Sequence, residues 1–400
     1  MKVALVHDWL VSIRGAEKVL ESFCRIYPGA DVFTLYHDES GVRVSPELSR
    51  HTVRASFIER IMRVTGAAQA TSSSSPAARI GFRLLLPLFP LAIESFRLDG
   101  YDLVISSHHA VAKGVLAPPG ALHVSYVHSP MRYIWEAGGE YAPRVPGGAA
   151  GRAAFGALAH YLRLWDTAST ARVDALVANS RYTRDRIRRC YGRTSEIIEP
   201  PVDVARFERV PDPPASPSQR SDGAAPMFLC VSALVPYKRV ELAVRAFLGR
   251  PERLVVVGEG ADQARLAGIA AGAPNIELRG RLGDAVVDRL FADCQAVIHP
   301  AIDDFGIVPV EALATGRPVV AFAGGGATDS VRDGETGVLF AEATPASLSD
   351  AVTRLRGLRF DPAILRAEAR RFDRNLFERR FASFVDACWR ARELRATAPA

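Results

Sequence analysis

The stretch at residues 301–321 constrains the fold of this chain more than any other part of it. Its sequence, AIDDFGIVPVEALATGRPVVA, places the carboxylates of Asp303 and Glu311 eight positions apart. Pro309 suits the first turn of a helix, because the N–H that proline lacks has no intrahelical partner there. The loop 304–308 would then direct free backbone N–H groups and the positive end of a helix dipole at one point, which suits a phosphate.

Downstream of Glu311, Gly316 is expected to end the helix, residues 318–322 form a short buried strand, and residues 323–327 form a second glycine-rich turn. Glycines in such a turn let the backbone approach a ligand closely. Taken by themselves, these residues predict a site for a phosphorylated ligand whose hydroxyls meet Glu311. An ordinary strand–loop–helix unit with a solvated Glu311 explains the same pattern equally well.

Apolar runs alternate with helical stretches along the chain, which is typical of parallel sheets covered by helices on both faces. A chain of 400 residues is long enough for two such α/β domains. Residues 211–226, PDPPASPSQRSDGAAP, are rich in proline and serine and mark the predicted domain boundary. We predict an N-terminal domain at 1–200, a linker at 201–226, a C-terminal domain at 227–371 and a terminal helical segment at 372–400.

Ten strands are predicted from the apolar runs. In chain order they are Val3–Val6, Val32–Tyr36, Leu103–Ser106, His123–Val127, Ala175–Ala178, Met227–Ser232, Leu254–Val257, Ile276–Arg279, Ala296–His299 and Val319–Phe322. Open parallel sheets bind ligands at the carboxyl ends of their strands. Gly15, His128 and Lys238 all follow such ends closely. Each has a structural alternative: a tight turn, a core histidine and a solvated surface lysine.

Five cysteines, Cys24, Cys190, Cys230, Cys294 and Cys388, are scattered along the chain without a C-x-x-C pair. This spacing predicts neither a disulfide framework nor a zinc site, and it is typical of a reducing cytoplasm. The N-terminus leads directly into the first strand without a basic region, a long apolar core or a cleavage site. We therefore expect no export signal and a cytoplasmic location.

The formal net charge of +6 falls on the first half of the chain, which contains 24 Lys+Arg and 18 Asp+Glu, whereas the second half contains 26 of each. Within the first half, residues 77–98 interleave Arg79, Arg83 and Arg97 with apolar side chains. Two prolines break this segment, so we do not expect it to span a bilayer. It is either an ordinary domain helix with a proline break or an interfacial segment resting on an anionic membrane.

The pattern from Asp303 to Glu311 resembles the E-x₇-E signature of the retaining glycosyltransferases of family 4, and FGIVPVEALATGRPVVAF is similar to their sequences almost letter by letter. HDWL followed by GAEKVL adds to the resemblance, and HSPMRY and SALVPYKR resemble bacterial mannosyltransferases of O-antigen and exopolysaccharide assembly. The resemblance implies the α/β fold called GT-B, in which two Rossmann-like domains face each other across a cleft. It also implies an acceptor-binding N-terminal domain, a C-terminal domain that binds the nucleotide-sugar, and a terminal helix that crosses back onto the N-terminal domain.

The resemblance implies a catalytic set of His128, Lys238, Asp303 and Glu311. In family 4 the first acidic residue lies against the donor sugar, the second holds the ribose, the histidine faces the donor sugar and the lysine clamps the diphosphate. The implied contacts with the nucleotide-sugar are Gly15, Arg239, Gly258, Gly260, Arg281, Phe305, Gly306, Ile307, Val308 and Glu311.

The chain departs from the family pattern at two positions. Asp303 replaces a glutamate, so its contact with the sugar loses one methylene. Ala233 stands where the family has an arginine that shares the diphosphate with the lysine. Arg239 could supply the missing charge.

The resemblance implies a retaining, metal-independent hexosyltransferase that moves mannose from GDP-mannose to a lipid-linked or oligosaccharide acceptor in surface polysaccharide biosynthesis. Preorganised amides and Lys238 would stabilise the departing diphosphate, and the donor phosphate would deprotonate the acceptor hydroxyl. We therefore expect no protein nucleophile, no cofactor and no metal site. A UDP-sugar donor, a nucleotide-sugar epimerase and a degenerate binding module of the same fold stay open as alternatives.

The expected partners are a nucleotide-sugar donor and a glycan or polyprenyl-diphosphate-linked acceptor, without nucleic acid. Positive charge is concentrated in the half that the resemblance assigns to the acceptor. We therefore also expect weak, salt-sensitive contact with an anionic membrane, on the inner face of the cell membrane.

Overall fold

The computed structural model describes residues 1–11, 13, 15–38, 45–64, 85–136, 148–211 and 225–397. The chain divides into two compact units, the first formed by Met1–Pro201 with Phe377–Ala400 and the second by Val202–Leu376. Each unit is built on its own parallel sheet. This confirms the predicted α/β class with two sheets. No helix within the described ranges is long and apolar enough to cross a membrane.

The first unit has a seven-stranded sheet in the order β3-β2-β1-β4-β5-β6-β7, in which all paired strands are parallel. Its strands are β1 (Val3–His7), β2 (Asp31–Thr34), β3 (Val53–Ala55), β4 (Leu103–His108), β5 (Leu122–Val127), β6 (Ala175–Ala178) and β7 (Glu196–Ile197). Its helices are α1 (Gly15–Ile26), α2 (Phe57–Val64), α3 (Phe89–Glu94), α4 (Arg132–Trp135), α5 (Gly148–Thr170) and α6 (Arg181–Tyr191).

The second unit has a six-stranded parallel sheet in the order β10-β9-β8-β11-β12-β13. Its strands are β8 (Met227–Val231), β9 (Arg253–Val257), β10 (Ile276–Leu278), β11 (Ala296–His299), β12 (Val319–Phe322) and β13 (Gly337–Phe340). Its helices are α7 (Val204–Phe207), α8 (Val240–Phe247), α9 (Gln263–Ala270), α10 (Asp284–Asp293), α11 (Ile307–Ala314), α12 (Ala327–Ser330), α13 (Pro345–Arg356) and α14 (Pro362–Arg370); α15 (Arg374–Thr397) follows.

All ten predicted strands are present, and none of their ends shifts by more than two residues. Sequence reasoning missed β3, β7 and β13, which all lie at sheet edges. The first two contain only three and two residues, too short for an apolar pattern to emerge. Strand β13 begins with Gly337, a residue that sequence patterns assign to turns.

The sheet of the first unit is covered on both faces because alternate residues of its strands point to opposite sides. In β1, Val3 and Leu5 join the core under α1, whereas Ala4 and Val6 join the core under α2, α3 and α5. The terminal helix contributes Phe381 to the α1 side, where its ring centroid lies 4.4 Å from that of Phe23. Phe372, just before that helix, packs instead in the core of the second unit.

Candidate functional site

The loop after β8, which carries Lys238, is held by the glycine turn after β9. Leu234 donates its backbone N–H to the carbonyl of Glu259 at 2.9 Å. A Cβ at Gly258 would lie 1.8 Å from the carbonyl oxygen of Ser232, and one at Gly260 would lie 2.2 Å from that of Leu234. The predicted glycine turn is therefore needed for the close packing of two loops, which fixes the position of residues 232–238.

The glycine turn after β12 supports the acidic loop after β11 in the same way. A Cβ at Gly325 would lie 2.5 Å from the carbonyl oxygen of Asp303, and one at Gly326 would lie 2.3 Å from the Cα of Phe305. The N–H of Gly326 also donates to the carbonyl of Asp303 at 2.8 Å. The two predicted loops thus pack directly on each other at the carboxyl edge of the sheet.

Lys238 and Asp303 form an ion pair at this edge. The Nζ of Lys238 donates to both carboxylate oxygens of Asp303, at 2.7 and 2.8 Å. His299, at the end of β11, places Nε2 3.5 Å from the Oδ2 of Asp303. Burial lowers the pKa of His299 to about 4, Asp303 raises it and Lys238 lowers it further, so the ring is neutral near pH 7. The structure therefore brings two of the predicted catalytic residues into direct contact.

Helix α11 starts at Ile307, two residues before the predicted start at Pro309, and its N-cap is Gly306 with φ +88°. Its first backbone N–H groups have no intrahelical acceptor, and its N-cap residue is a glycine, which has no side chain that could cap them. The ring of Phe305 is buried in the core and lies 5.5 Å from that of Phe372. The loop can therefore offer a ligand its backbone, as predicted, but not the side chain of Phe305.

Glu311 is half-buried in the middle of α11. Its charge acts on Arg206, which also binds Asp284 and Asp288. Burial lowers the pKa of Arg206. The hydrogen bond to Asp288 and the negative charges of Asp284, Asp288 and Glu311 raise it by more, so the pKa is higher than its ordinary value. The position of Glu311 on the predicted helix agrees with its sequence assignment, and its role in binding stays a prediction.

Arg239 has an unusual backbone, because its φ of +53° lies in the left-handed region that favours glycine. It is the N-cap residue of α8, and its guanidinium carbon lies 5.5 Å from the ring centroid of Phe322 at the end of β12. Its side chain therefore crosses from the loop after β8 towards the glycine turn after β12. Within the described ranges, no carboxylate pairs with it.

Arg281 is largely exposed, and its Nη1 lies 3.7 Å from the Oε1 of Glu259 in the glycine turn. The N–H of Gly258 donates to the carbonyl of Gly280 at 2.8 Å, so this arginine and the turn are neighbours. The structure thus groups the predicted residues of the second unit at one edge of its sheet.

In the first unit, His128 follows β5 and belongs to a buried polar chain that sequence reasoning missed. Its Nε2 lies 2.8 Å from the Oγ of Ser107, and that Oγ lies 3.0 Å from the Nδ1 of His7. Burial lowers the pKa of His128 well below its ordinary value, and His109 and His7 lower it further. The ring is therefore neutral near pH 7.

Asp8 organises the loop after β4 beside this chain. Its carboxylate accepts four backbone N–H groups, from His109, Ala110, Val111 and Ala112, at 2.6 to 2.9 Å. Burial raises the pKa of Asp8, but the two neighbouring histidines and these N–H groups lower it by more. The sequence contains a signal for this polar cluster: the segments HDW (residues 7–9) and SSHH (residues 106–109) lie at the ends of two strands that pair with each other. Gly15, also predicted for the site, is the first residue of α1.

Across the residues with assigned positions, no three His, Cys, Asp or Glu side chains are arranged to hold a metal ion.

Two family models match the chain. The model described as Glycosyltransferase Family 4 matches residues 46–206, and the model described as Glycosyl transferases group 1 matches residues 213–372. Together the two matches cover most of both units. They agree with the family resemblance of the sequence motifs.

Two curated relatives illustrate the similarity. The chain is 33% identical over 187 residues to a GDP-mannose-dependent alpha-(1-6)-phosphatidylinositol monomannoside mannosyltransferase of Mycolicibacterium smegmatis, with 42% of this chain and 48% of that protein covered. It is 31% identical over 214 residues to a D-inositol 3-phosphate glycosyltransferase of Actinosynnema mirum, with 46% and 49% covered. The chain thus spans about half the length of these curated relatives.

Solved structures show the fold. Sucrose-phosphate synthase from Thermosynechococcus elongatus aligns with a TM-score of 0.68 at 16% identity, over 98% of this chain and 100% of that one. Anabaena HepE in complex with UDP-glucose aligns with a TM-score of 0.65 at 17% identity, over 97% and 100%. These likenesses confirm the predicted GT-B fold. The two family models, which together match most of the chain, show that it belongs to the family 4 glycosyltransferases.

Proposed function

We propose that this protein is a retaining glycosyltransferase that moves a hexose from a nucleotide-diphospho-sugar to a hydroxyl acceptor. The observation that carries the proposal is the Lys238–Asp303 ion pair beside the start of α11. A cation and the N–H groups of a helix start at one strand edge suit a diphosphate, and an adjacent carboxylate suits sugar hydroxyls.

The chemical task is to stabilise negative charge on the departing diphosphate. Helix N–H groups and Lys238 do this without reorganisation, because both are fixed by the packed loops before the reaction starts. Glu311 binds the ribose hydroxyls. The donor phosphate takes the proton of the attacking hydroxyl, which arrives on the face that the diphosphate leaves, so configuration is retained without a protein nucleophile. A metal ion and a cofactor have no role in this scheme.

We assign mannose as the sugar and GDP-mannose as the donor. The support is the similarity to relatives named as GDP-mannose-dependent mannosyltransferases, at about one third identity over less than half of the chain. The HSPMRY and SALVPYKR motifs favour the same class. A UDP-sugar is the alternative donor, supported by HepE, whose fold this chain shares and whose structure contains UDP-glucose.

The acceptor in this proposal is a lipid-linked sugar or an oligosaccharide of surface polysaccharide biosynthesis, used at the inner face of the cell membrane. Helices α2, α3 and α5 form one layer over the first sheet, with a shared core that contains Ile58, Ala92 and Leu162. The exposed side chains on these helices and next to them are both apolar and basic: Val64, Leu88, Leu91, Tyr161 and Leu164, and Arg60, Arg63, Arg97 and Arg152. This mixture suits weak contact with an anionic bilayer. Arg79 and Arg83, which contributed to the sequence prediction, lie outside the described residues.

Two measurements on the full chain test the proposal. A thermal-shift series with GDP-mannose, other GDP-sugars, UDP-sugars and ADP-sugars identifies the donor, because a ligand that binds only the native state raises its melting temperature. Nucleotide release with and without a polyprenyl-diphosphate-linked glycan then separates a transferase, which needs the acceptor, from an epimerase or a binding module. Release that does not depend on any acceptor would contradict the proposal.

Glu311→Ala serves as the variant for both measurements. It is expected to abolish transfer and to weaken nucleotide-sugar binding, because the ribose loses its carboxylate. Glu342→Ala, at an exposed position of the same unit, is the matched control and should behave as the wild type. Near-normal nucleotide affinity in Glu311→Ala would remove that residue from the ribose role.

A further inference from the structure

A chain of four side chains leads from the start of α1 to His128. Glu17, in the first turn of α1, places Oε1 3.9 Å from the Nε2 of His7. The other ring nitrogen of His7, Nδ1, lies 3.0 Å from the Oγ of Ser107, and the same Oγ lies 2.8 Å from the Nε2 of His128. Both His7 and Ser107 are fully buried, so water cannot substitute for these partners.

The hydrogen positions along this chain follow from the charge at its far end. Burial raises the pKa of Glu17, but His7 and the backbone lower it by more, so this carboxylate is ionised near pH 7. A neutral imidazole carries one N–H and one lone pair, and the N–H is favoured at the nitrogen that faces an anion. In its neutral form, His7 therefore carries the proton on Nε2, the nitrogen that faces the Glu17 carboxylate at 3.9 Å, and leaves Nδ1 as an acceptor.

The serine transmits this choice because a hydroxyl has only one hydrogen to donate. Ser107 donates it to the Nδ1 of His7. Its oxygen can then only accept from the Nε2 of His128, so His128 must carry its proton on Nε2. The lone pair of His128 is consequently on Nδ1.

We propose that Glu17, His7 and Ser107 are positioning residues that fix His128 in the Nε2–H tautomer and make its Nδ1 an acceptor for a substrate hydroxyl. This inference rests on the proposed function and on the family resemblance, which implies that His128 faces the donor sugar. It adds the kind of group that His128 recognises: a neutral imidazole with its lone pair on Nδ1 accepts from a sugar O–H and has no proton on that nitrogen to donate to a phosphate.

The surroundings of His128 agree with a neutral ring. The rings of Tyr126 and His109 lie 5.1 and 6.3 Å from it, centroid to centroid. The nearby carboxylate of Asp8 already binds four backbone N–H groups and lies 3.1 Å from the Nδ1 of His109. Asp8 therefore has His109, rather than His128, as its imidazole partner.

Nitrogen NMR of the full chain labelled with ¹⁵N-histidine tests the tautomer directly. The resonances of His128 are identified by their loss in His128→Gln. We expect a protonated Nε2 and an unprotonated Nδ1 in the wild type, and we expect Ser107→Ala and Glu17→Gln to shift both resonances towards the average of two exchanging tautomers. A wild-type His128 protonated on Nδ1, or unchanged resonances in both variants, would overturn the inference.

Two matched controls separate this effect from general disturbance of the core. Ser106→Ala removes the neighbouring buried hydroxyl of β4, which lies 2.9 Å from the Nε2 of His123. Glu59→Gln removes another first-turn carboxylate, which lies 2.7 Å from the Nδ1 of His37. Neither control should move the His128 resonances. A shift of equal size in the controls would show that Ser107 and Glu17 have only a structural role.

Titration of the labelled protein identifies the source of the hydroxyl. A shift of the Nδ1 resonance with GDP-mannose, but not with GDP, assigns the hydroxyl to the donor sugar, and a shift with the glycan acceptor alone assigns it to the acceptor. No shift with either compound would overturn the acceptor role of Nδ1. Because the tautomer is measured without turnover, a protein that fails to transfer sugar but shows the expected tautomer would contradict the proposed function and leave the positioning chain intact.

Discussion

Asp303 binds the ammonium of Lys238 with both of its carboxylate oxygens, at 2.7 and 2.8 Å, across 65 positions of sequence. The pair joins the loop after β8 to the loop after β11, two adjacent strands of the second sheet. Two glycine turns hold these loops from either side. The orientation of Lys238 is therefore set by Asp303 before any ligand binds, which is the preorganisation that electrostatic catalysis needs.

Lys238→Ala is predicted to lower kcat by about 10²–10³-fold, or about 2–4 kcal/mol, which is the effect of losing one preorganised electrostatic group. The measurement is steady-state transfer with the donor identified by thermal shift. Lys2→Ala, at the exposed start of β1 in the first unit, is the control and should keep wild-type kinetics. A loss below about tenfold would assign the diphosphate to Arg239 or to backbone amides instead.

Arg239 offers a test of strain against binding. A side chain in the left-handed conformation costs about 1–2 kcal/mol, and glycine avoids this cost. The free energy of unfolding in urea should therefore be about 1 kcal/mol higher for Arg239→Gly than for Arg239→Ala. Both variants should bind the nucleotide-sugar more weakly, because both remove the guanidinium near Phe322. Calorimetric titration measures the affinity, and circular dichroism follows unfolding. Equal affinity in wild type and both variants would show that Arg239 does not bind the diphosphate.

The predicted strands put Lys238, Asp303 and His128 at carboxyl ends of parallel strands, and the structure places them there. This much follows from sequence because strand ends are marked by local changes from apolar residues to glycine, proline and charge. The contact between Lys238 and Asp303 does not follow, since the order of strands in the sheet decides which loops are neighbours. The same holds for His7 and Ser107, which are 100 positions apart.

The glycines have a structural role that the sequence predictions did not include. Gly258 and Gly260 were predicted from the family resemblance to contact the nucleotide-sugar, and Gly325 belongs to a turn predicted to approach a ligand closely. The structure shows a backbone carbonyl at each of these points, from Ser232, Leu234 and Asp303 respectively. Sequence can indicate that a position excludes a side chain, but it cannot tell whether a ligand or another loop occupies that space.

Acid should destabilise the first unit through His123. Burial, together with the charges of Lys113, Arg172 and His108, lowers its pKa from 6.5 to about 3. As the pH falls from about 6.5 towards 3, the unfolded chain takes up a proton that the folded chain does not, so the free energy of unfolding falls by up to about 1.4 kcal/mol per pH unit for this group.

His123→Gln should therefore be less stable than the wild type near neutral pH but lose less stability between about pH 7 and about pH 5. All four tryptophans, Trp9, Trp135, Trp165 and Trp389, lie in the first unit, so their fluorescence in urea titrations reports that unit alone. Identical pH dependence in the variant and the wild type would show that another group controls the acid response.

Contact with an anionic membrane is predicted to depend on the exposed apolar side chains of α2 and α3. Val64 and Leu91 are 88% and 61% exposed, and the exposed Arg60, Arg63 and Arg97 lie on the same two helices or just after them. Each basic group contributes about 1 kcal/mol at most near an anionic surface, and salt screens this attraction within a Debye length. Co-sedimentation should show binding to anionic liposomes at low salt, little binding at high salt, and little binding to neutral liposomes.

The double variant Val64→Glu with Leu91→Glu should abolish binding to anionic liposomes. The control is Ile364→Glu, at a 47% exposed apolar position of the second unit. It adds the same kind of charge and should leave that binding intact. Negligible binding to both kinds of liposome would refute the membrane contact, and equal loss in the Ile364→Glu control would assign the attraction to net charge rather than to this helical layer.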